Sequence, residues 1–161
     1  MEIWDIYDQR NQKTGQTIER SRVQELKVGQ YHACVNGLLY DQEGQLLVQQ
    51  RSFSKETSPG IWDIFTGGSL LAGESPEQAI SREVAEELSL HDLDFSYLGY
   101  EVRPDIKCIM HYYKALIPEQ AKKNLLIQTS EVERIAWIAI EEAERLVEER
   151  IFDRKWLKKS F

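Results

Sequence analysis

Apolar positions along this chain change period several times, and each change marks an element. Ile3, Trp4, Ile6 and Tyr7 read as a strand, and the turn residues at 11–15 lead into a second strand at 16–20. This predicts a β-hairpin at the start of the chain, followed by one short helical turn at 22–26. Residues 31–40 and 45–51 read as two strands joined by a turn ending in Gly44. Residues 61–66 are β-prone and lead into Gly67 and Gly68, so the expected order there is strand, glycine-rich loop, helix. The helix should start at Ser75 as N-cap, with Pro76 at its first position and Gln78 closing a capping box. Ile80, Val84 and Leu88 then recur at i, i+4 and i+8 as one buried stripe.

Further on, 98–102 and 106–117 read as strands around a turn at 103–105. Along the second of these, His111, Tyr112 and Tyr113 alternate faces, which sends one tyrosine toward a site and the other toward the core. A short helical link follows at 118–124, then a last strand at 134–138. Residues 140–150 read as a helix with Ala143, Leu146 and Val147 on one face. Phe152, Trp156 and Leu157 continue the apolar pattern, and Arg154, Lys155, Lys158 and Lys159 give a basic, solvated helix end. Two divisions are expected, a hairpin extension over 1–28 and an α/β domain over 29–161.

Composition narrows the class. The 161 residues are 42% hydrophobic and 29% charged, which suits one globular domain with a sizeable core. A formal charge of −7 argues against a nucleic-acid binder, which would carry a basic patch. No run is long enough to span a bilayer, and the acidic first ten residues do not resemble a signal peptide. Cys34 and Cys108 sit apart in apolar, strand-like stretches, as expected of reduced core thiols in a cytoplasmic protein. His32 has no Cys or His at metal-binding spacing, so a satisfied histidine or a substrate contact is expected there.

Chemistry enters with Glu83, Glu86 and Glu87, at i, i+3 and i+4 on the flank beside the apolar stripe. Like charges at this spacing repel. A hard divalent cation held by carboxylate oxygens would remove the repulsion, whereas a solvated acidic face would simply tolerate it. The residues in front decide between the two. Gly68, Glu74 and the run from Arg82 to Leu90 resemble the Nudix box, G-x5-E-x7-R-E-U-x-E-E-x-G-U with U apolar, and the fixed positions match across 23 residues except that Ser89 stands where the family has glycine. The tract from Ser58 to Trp62 is similar to the P-G-x-W segment that precedes the box in the family, which implies that Trp62 packs at the base of the site.

The resemblance implies a Nudix α/β/α sandwich with a mixed β-sheet, preceded by the N-terminal β-hairpin. It implies Mg²⁺ or Mn²⁺ held by Glu83, Glu86 and Glu87 with the Gly68 carbonyl, Arg82 orienting Glu83, and Glu74 supporting the loop. A further glutamate near the last strand is expected as ligand or base; Glu131 and Glu133 are the candidates, with Glu131 preferred on spacing. Glu83 is the other candidate base. Arg51, at a strand end, either meets substrate phosphates or caps the strand. The expected reaction is hydrolysis of a nucleoside diphosphate linked to another group, a small-molecule substrate; the resemblance also makes a homodimer a candidate assembly. Two alternatives stand beside it. The hairpin also resembles the isopentenyl-diphosphate isomerase branch, but Thr66 occupies the position of that enzyme's acidic cysteine. A non-catalytic nucleotide-binding module would be expected to lose a box glutamate.

Overall fold

The computed structural model describes the backbone of residues 1–161 and every side chain except those of 151 and 152, so the apolar role expected of Phe152 lies outside the described residues. The chain begins with an antiparallel hairpin, β1 (Ile3–Tyr7) and β2 (Lys13–Glu19), followed by a 3-10 turn at Arg20–Glu25. The main sheet contains β3 (His32–Tyr40), β4 (Leu46–Arg51), β5 (Trp62–Asp63) and β6 (Thr66–Ser69). After α1 (Pro76–Leu88) come β7 (Ser96–Arg103) and β8 (Cys108–Leu116). The chain closes with α2 (Glu119–Lys123), β9 (Val132–Ile138), α3 (Ile140–Leu146) and α4 (Ile151–Ser160).

β3 organises the sheet. One edge pairs in parallel with β8, which pairs antiparallel with β7. On its other edge β3 touches β4 at Tyr40–Leu46 and then takes β6 antiparallel over 34–37. β4 diverges to pair with β5 and β9. The sheet is therefore mixed and forks beside β3, and strand alternation sorts its side chains into two cores. Ala33, Val35, Leu39 and Ile109 pack under Ile80, Val84 and Leu88 of α1. Leu38, Leu46 and Tyr112 pack under Ala143, Val147, Trp156 and Leu157. This is the expected mixed-sheet sandwich with its N-terminal hairpin.

Four local expectations need correction. Gly67 and Gly68 lie inside β6 rather than in a loop, because they pair with Asn36 and Val35. A Cβ on Gly67 would sit 1.9 Å from the Val35 carbonyl oxygen, so close strand approach, not turn geometry, demands glycine here. The helix expected over 140–150 stops at Leu146, and α4 starts separately at Ile151. Ala143 and Val147 are buried while Leu146 is exposed, since four residues nearly close a turn and three do not. Finally, neither tyrosine of β8 reaches a site. Tyr113 is buried under α1 and its hydroxyl donates to Glu77 at 3.0 Å, whereas Tyr112 stacks on Trp156 with ring centroids 4.2 Å apart. The basic end of α4 is also engaged rather than merely solvated: Lys159 donates to the Leu98 carbonyl at 2.6 Å and Lys155 pairs with Glu101, both on β7.

The hairpin is anchored on the site side of the molecule. Trp4 is 4% exposed, the Ala72 amide donates to the Ile3 carbonyl at 2.7 Å, and the Gly73 amide donates to Asp5 at 2.8 Å. Tyr7 bridges to Tyr31 at the entry to β3. These contacts fix the 70–74 turn that feeds α1.

Two predictions follow from the fold. Ser89 caps α1 in the left-handed region at φ 55° and ψ 30°, where a Cβ is unfavourable. Ser89→Gly should therefore stabilise the chain by about 0.5–1 kcal/mol, read as a higher denaturant midpoint with an unchanged m-value; an unchanged or lower midpoint would count against it. His111 is 3% exposed, with Nδ1 3.0 Å from the Tyr97 hydroxyl, and burial holds its pKa down at about 4. The unfolded chain takes up this proton near pH 6.5, and the native chain resists until about pH 4. The stabilising share is complete above pH 6.5 and is lost as pH falls to 4, by about 3 kcal/mol. In His111→Gln the slope of unfolding free energy against pH should flatten over that interval, and superimposable slopes would refute the assignment.

Candidate active site

The site is assembled where the second half of α1, from Arg82 to Glu87, meets β6. Ser75 Oγ accepts the Gln78 amide at 3.2 Å and Gln78 Oε1 accepts the Ser75 amide at 2.9 Å, so the expected capping box is formed. The cap fixes the rotational phase of the helix. With Ile80, Val84 and Leu88 committed to the core, the adjacent flank carries Arg82, Glu83, Glu86 and Glu87 toward β6.

Arg82 ties this flank to the strand. Its Nε and Nη2 donate to the two oxygens of Glu74 at 2.7 and 3.0 Å, and Nη1 donates to Glu83 Oε1 at 2.8 Å. Nη2 also donates to the Ser69 carbonyl at 3.0 Å, and Nη1 approaches Glu86 at 3.4 Å. Glu74 in turn accepts the Leu71 amide at 2.9 Å. Burial would raise the Glu74 carboxyl pKa, yet the Arg82 fork and this amide hold it below the usual range. Glu74 is thereby committed to the turn and does not line the cleft.

The cleft, about 310 Å³, is lined by Glu83, Glu86, Glu87 and Glu131 together with Arg51 and the backbone of β6 at Gly67 and Gly68. Gly68 is required by the carboxylate beside it: a Cβ there would stand 2.5 Å from the Glu83 carboxyl. Glu87 is 8% exposed and accepts Gln49 Nε2 at 3.1 Å; Gln49 Oε1 also accepts the Thr66 hydroxyl at 3.3 Å. Burial, together with the charges of Glu83 and Glu131, pushes the Glu87 pKa up to about 8. Burial also raises Glu83, against the pull of Arg82. Glu86 remains 55% exposed at its side chain. The desolvated Glu83 and Glu87, with the exposed Glu86 beside them, offer the oxygen donors that a hard divalent cation takes.

Glu131 enters the cleft from the residue before β9, ion-paired with Lys55 at 2.8 Å, while Glu133 is exposed and lies outside it. Arg51 lines the cleft and is held there by the 52–60 loop, its Nε donating to the Thr57 carbonyl at 2.6 Å. Trp62 packs with the α3–α4 core, away from the cleft, under the Arg134 guanidinium 5.3 Å from its ring. Four lining residues have no signal in the sequence. Lys55 and Gln128 come from loops without a motif, and Arg20 and Glu2 come from the hairpin, paired with each other at 3.0 Å. The hairpin therefore reaches the cleft rather than merely preceding the domain, and only its tertiary docking reveals this.

A family model described as the NUDIX domain matches residues 30–159. The chain is 32% identical over 146 residues to an uncharacterized Nudix hydrolase of Listeria innocua, covering 91% of this chain and 85% of that one. It is 30% identical over 118 residues to an isopentenyl-diphosphate Delta-isomerase of Corynebacterium diphtheriae, covering 66% of this chain and 63% of the other. Among solved structures, the Deinococcus radiodurans protein DR0079 superposes with a TM-score of 0.76 at 23% identity, over 92% of this chain and 90% of that chain.

Arg82 makes the prediction that isolates the geometry. A lysine keeps the charge but cannot reach Glu74, Glu83 and the Ser69 carbonyl together. Arg82→Lys should destabilise the fold by about 2 kcal/mol and weaken Mn²⁺ binding in a calorimetric titration. Wild-type stability with wild-type binding would show that the fork is dispensable.

Proposed function

The chain belongs to the Nudix hydrolase family, and on that premise we propose that it hydrolyses a phosphoanhydride bond in a nucleoside diphosphate linked to a second group, using Mg²⁺ or Mn²⁺. One observation carries this reading: a single cleft joins the desolvated carboxylates Glu83 and Glu87 to the cations Arg51, Lys55 and Arg20. Carboxylates alone would repel a diphosphate, and guanidinium and ammonium groups alone would bind it without activating water.

Glu83, Glu86 and Glu87, with the Gly68 carbonyl, would hold the divalent ion. When bound, such an ion offsets phosphate charge, polarises the phosphoryl oxygen and makes a nearby water more acidic. The protein's own groups supply the rest. Arg82 anchors Glu83 through Nη1, so this carboxylate cannot swing away from Gly68. Arg51, fixed by Thr57, offers a planar donor set suited to phosphate oxygens. Glu131, ion-paired with Lys55, would take the proton of the attacking water, and substrate phosphate competing for Lys55 would free it to do so. The products would be a nucleoside monophosphate and the phosphorylated remainder.

The isomerase reading is disfavoured by Thr66. The residue is 2% exposed and its hydroxyl donates to Gln49, and an alcohol is far too weak an acid to protonate an alkene. The deciding experiment is a panel of nucleoside triphosphates, nucleotide sugars, dinucleotides, coenzyme A and isopentenyl diphosphate, with products weighed by mass spectrometry. Metal-dependent release of a monophosphate is expected from at least one phosphoanhydride, and isomerisation of isopentenyl diphosphate instead would overturn the proposal. Glu83→Gln and Glu87→Gln should each lower kcat on the order of 10³-fold. Retained turnover in both variants would remove the carboxylates from the chemistry.

A further inference from the structure

Outside the carboxylate cleft, β3 and β8 gather a second set of donors of different chemistry. Their parallel pairing sets His32 beside Cys108 and Cys34 beside Met110, and alternation puts all four on one face of the sheet. The ligand atoms of His32, Cys34 and Cys108 lie within 4.8 Å of one another. Cys34 Sγ is 3.6 Å from His32 Nδ1, and Cys108 Sγ is 3.3 Å from the Met110 thioether. Both cysteines are free; Cys108 is 1% exposed, while His32 and Cys34 are half-buried. The sequence gives no Cys or His spacing that signals this cluster, because its third donor arrives on another strand. Trp4 of the hairpin stacks on the His32 ring, with centroids 4.6 Å apart and planes inclined by 18°.

We propose that His32, Cys34 and Cys108 form a binding site for a thiophilic cation of the Zn²⁺ class. Two thiolates and an imidazole select such an ion over Mg²⁺, which prefers the all-oxygen cleft. In a tetrahedral zinc site, metal–sulfur bonds of about 2.3 Å and metal–nitrogen bonds of about 2.0 Å separate the two donors by roughly 3.6 Å. The Cys34–His32 spacing already has that value. A fourth position remains beside the Met110 sulfur. An ion here joins β3 to β8 and, through the Trp4–His32 stack, fastens the hairpin that carries Arg20 and Glu2 into the cleft. Ser69 is the physical link between the two sites: its hydroxyl is 3.6 Å from Cys34 Sγ and the residue lines the cleft.

The test uses the full chain, reduced, stripped with a chelator and kept in excess Mg²⁺ so that the carboxylates are occupied. Titrated Co²⁺ should give a thiolate-to-cobalt charge-transfer band saturating at one equivalent, and Zn²⁺ should displace it and raise the thermal midpoint. Cys34→Ser should cut the band to half or less at saturation and weaken Zn²⁺ on the order of 100-fold, and His32→Ala should weaken Zn²⁺ too, while Glu87→Gln leaves the band intact. Cys108→Ser tests the buried donor, with circular dichroism to verify folding; the half-buried Cys34 and His32 variants keep the outcome decisive if it does not fold. Absence of the band in folded wild-type protein, or its undiminished intensity and unchanged Zn²⁺ affinity in Cys34→Ser, overturns the site. So does a Cys34–Cys108 disulfide, seen by intact mass, that forms equally fast with and without Zn²⁺, since the pair would then be packed thiols that the cation does not engage.

Discussion

One guanidinium holds the site together. Arg82 bonds simultaneously to both oxygens of Glu74, to Glu83 and to the Ser69 carbonyl. These partners belong to the turn before α1, to α1 itself and to β6, so a single planar group sets the distance between helix and strand. Its charge-assisted bonds strengthen its hold on the proton, and partial burial limits competition from water. Everything that lines the cleft is referred to this point. Glu83 can press against Gly68 only because Arg82 fixes the carboxylate and because no side chain projects from the strand there.

The second constraint is electrostatic, and it opposes the first. Glu87 is buried with one amide donor and faces two other carboxylates, an arrangement that costs folding free energy when all are ionised. The core fixes α1 by Ile80, Val84 and Leu88, so the helix cannot rotate to relieve it. The fold thus stores charge repulsion at the place where a cation would discharge it. Lys55 is paired within this set, with Glu131 alone, whereas Arg51 and Arg20 have other engagements, Thr57 and Glu2 respectively. Those engagements are partly exposed ion pairs and loop contacts, the kind a phosphate can displace at small cost.

Legibility in the sequence followed the range of the interactions. The capping box, the apolar stripe of α1 and the spacing of Glu83, Glu86 and Glu87 are local, so the helix and its acidic flank could be read directly. Ser89 was legible as the odd residue at a left-handed stop, because that need is set by the helix end alone. Gly67 and Gly68 were misread as a loop because glycine signals a turn and a close strand approach equally well; only the pairing with β3 separates the two. The 140–150 helix was overextended because Leu146 and Val147 are both apolar and only packing reveals which one faces the core. Lys55, Arg20 and the Cys34–Cys108 pairing depend on which strands become neighbours, and no local pattern encodes that.

The hairpin shows how such non-local parts become functional. Its own sheet has two strands, too few to be stable alone in water, so its position depends on docking. Trp4 against His32, Tyr7 against Tyr31 and two backbone amides of the 70–74 turn provide that docking. The same turn presents Glu74 to Arg82. A displacement of the hairpin would therefore move Arg20 and Glu2 at the cleft mouth and also loosen the turn beneath the central guanidinium. The lining of the cleft mouth and the alignment of the carboxylates are coupled through this one segment. That coupling gives the extension a physical reason to be ordered whether or not it touches the bond that breaks.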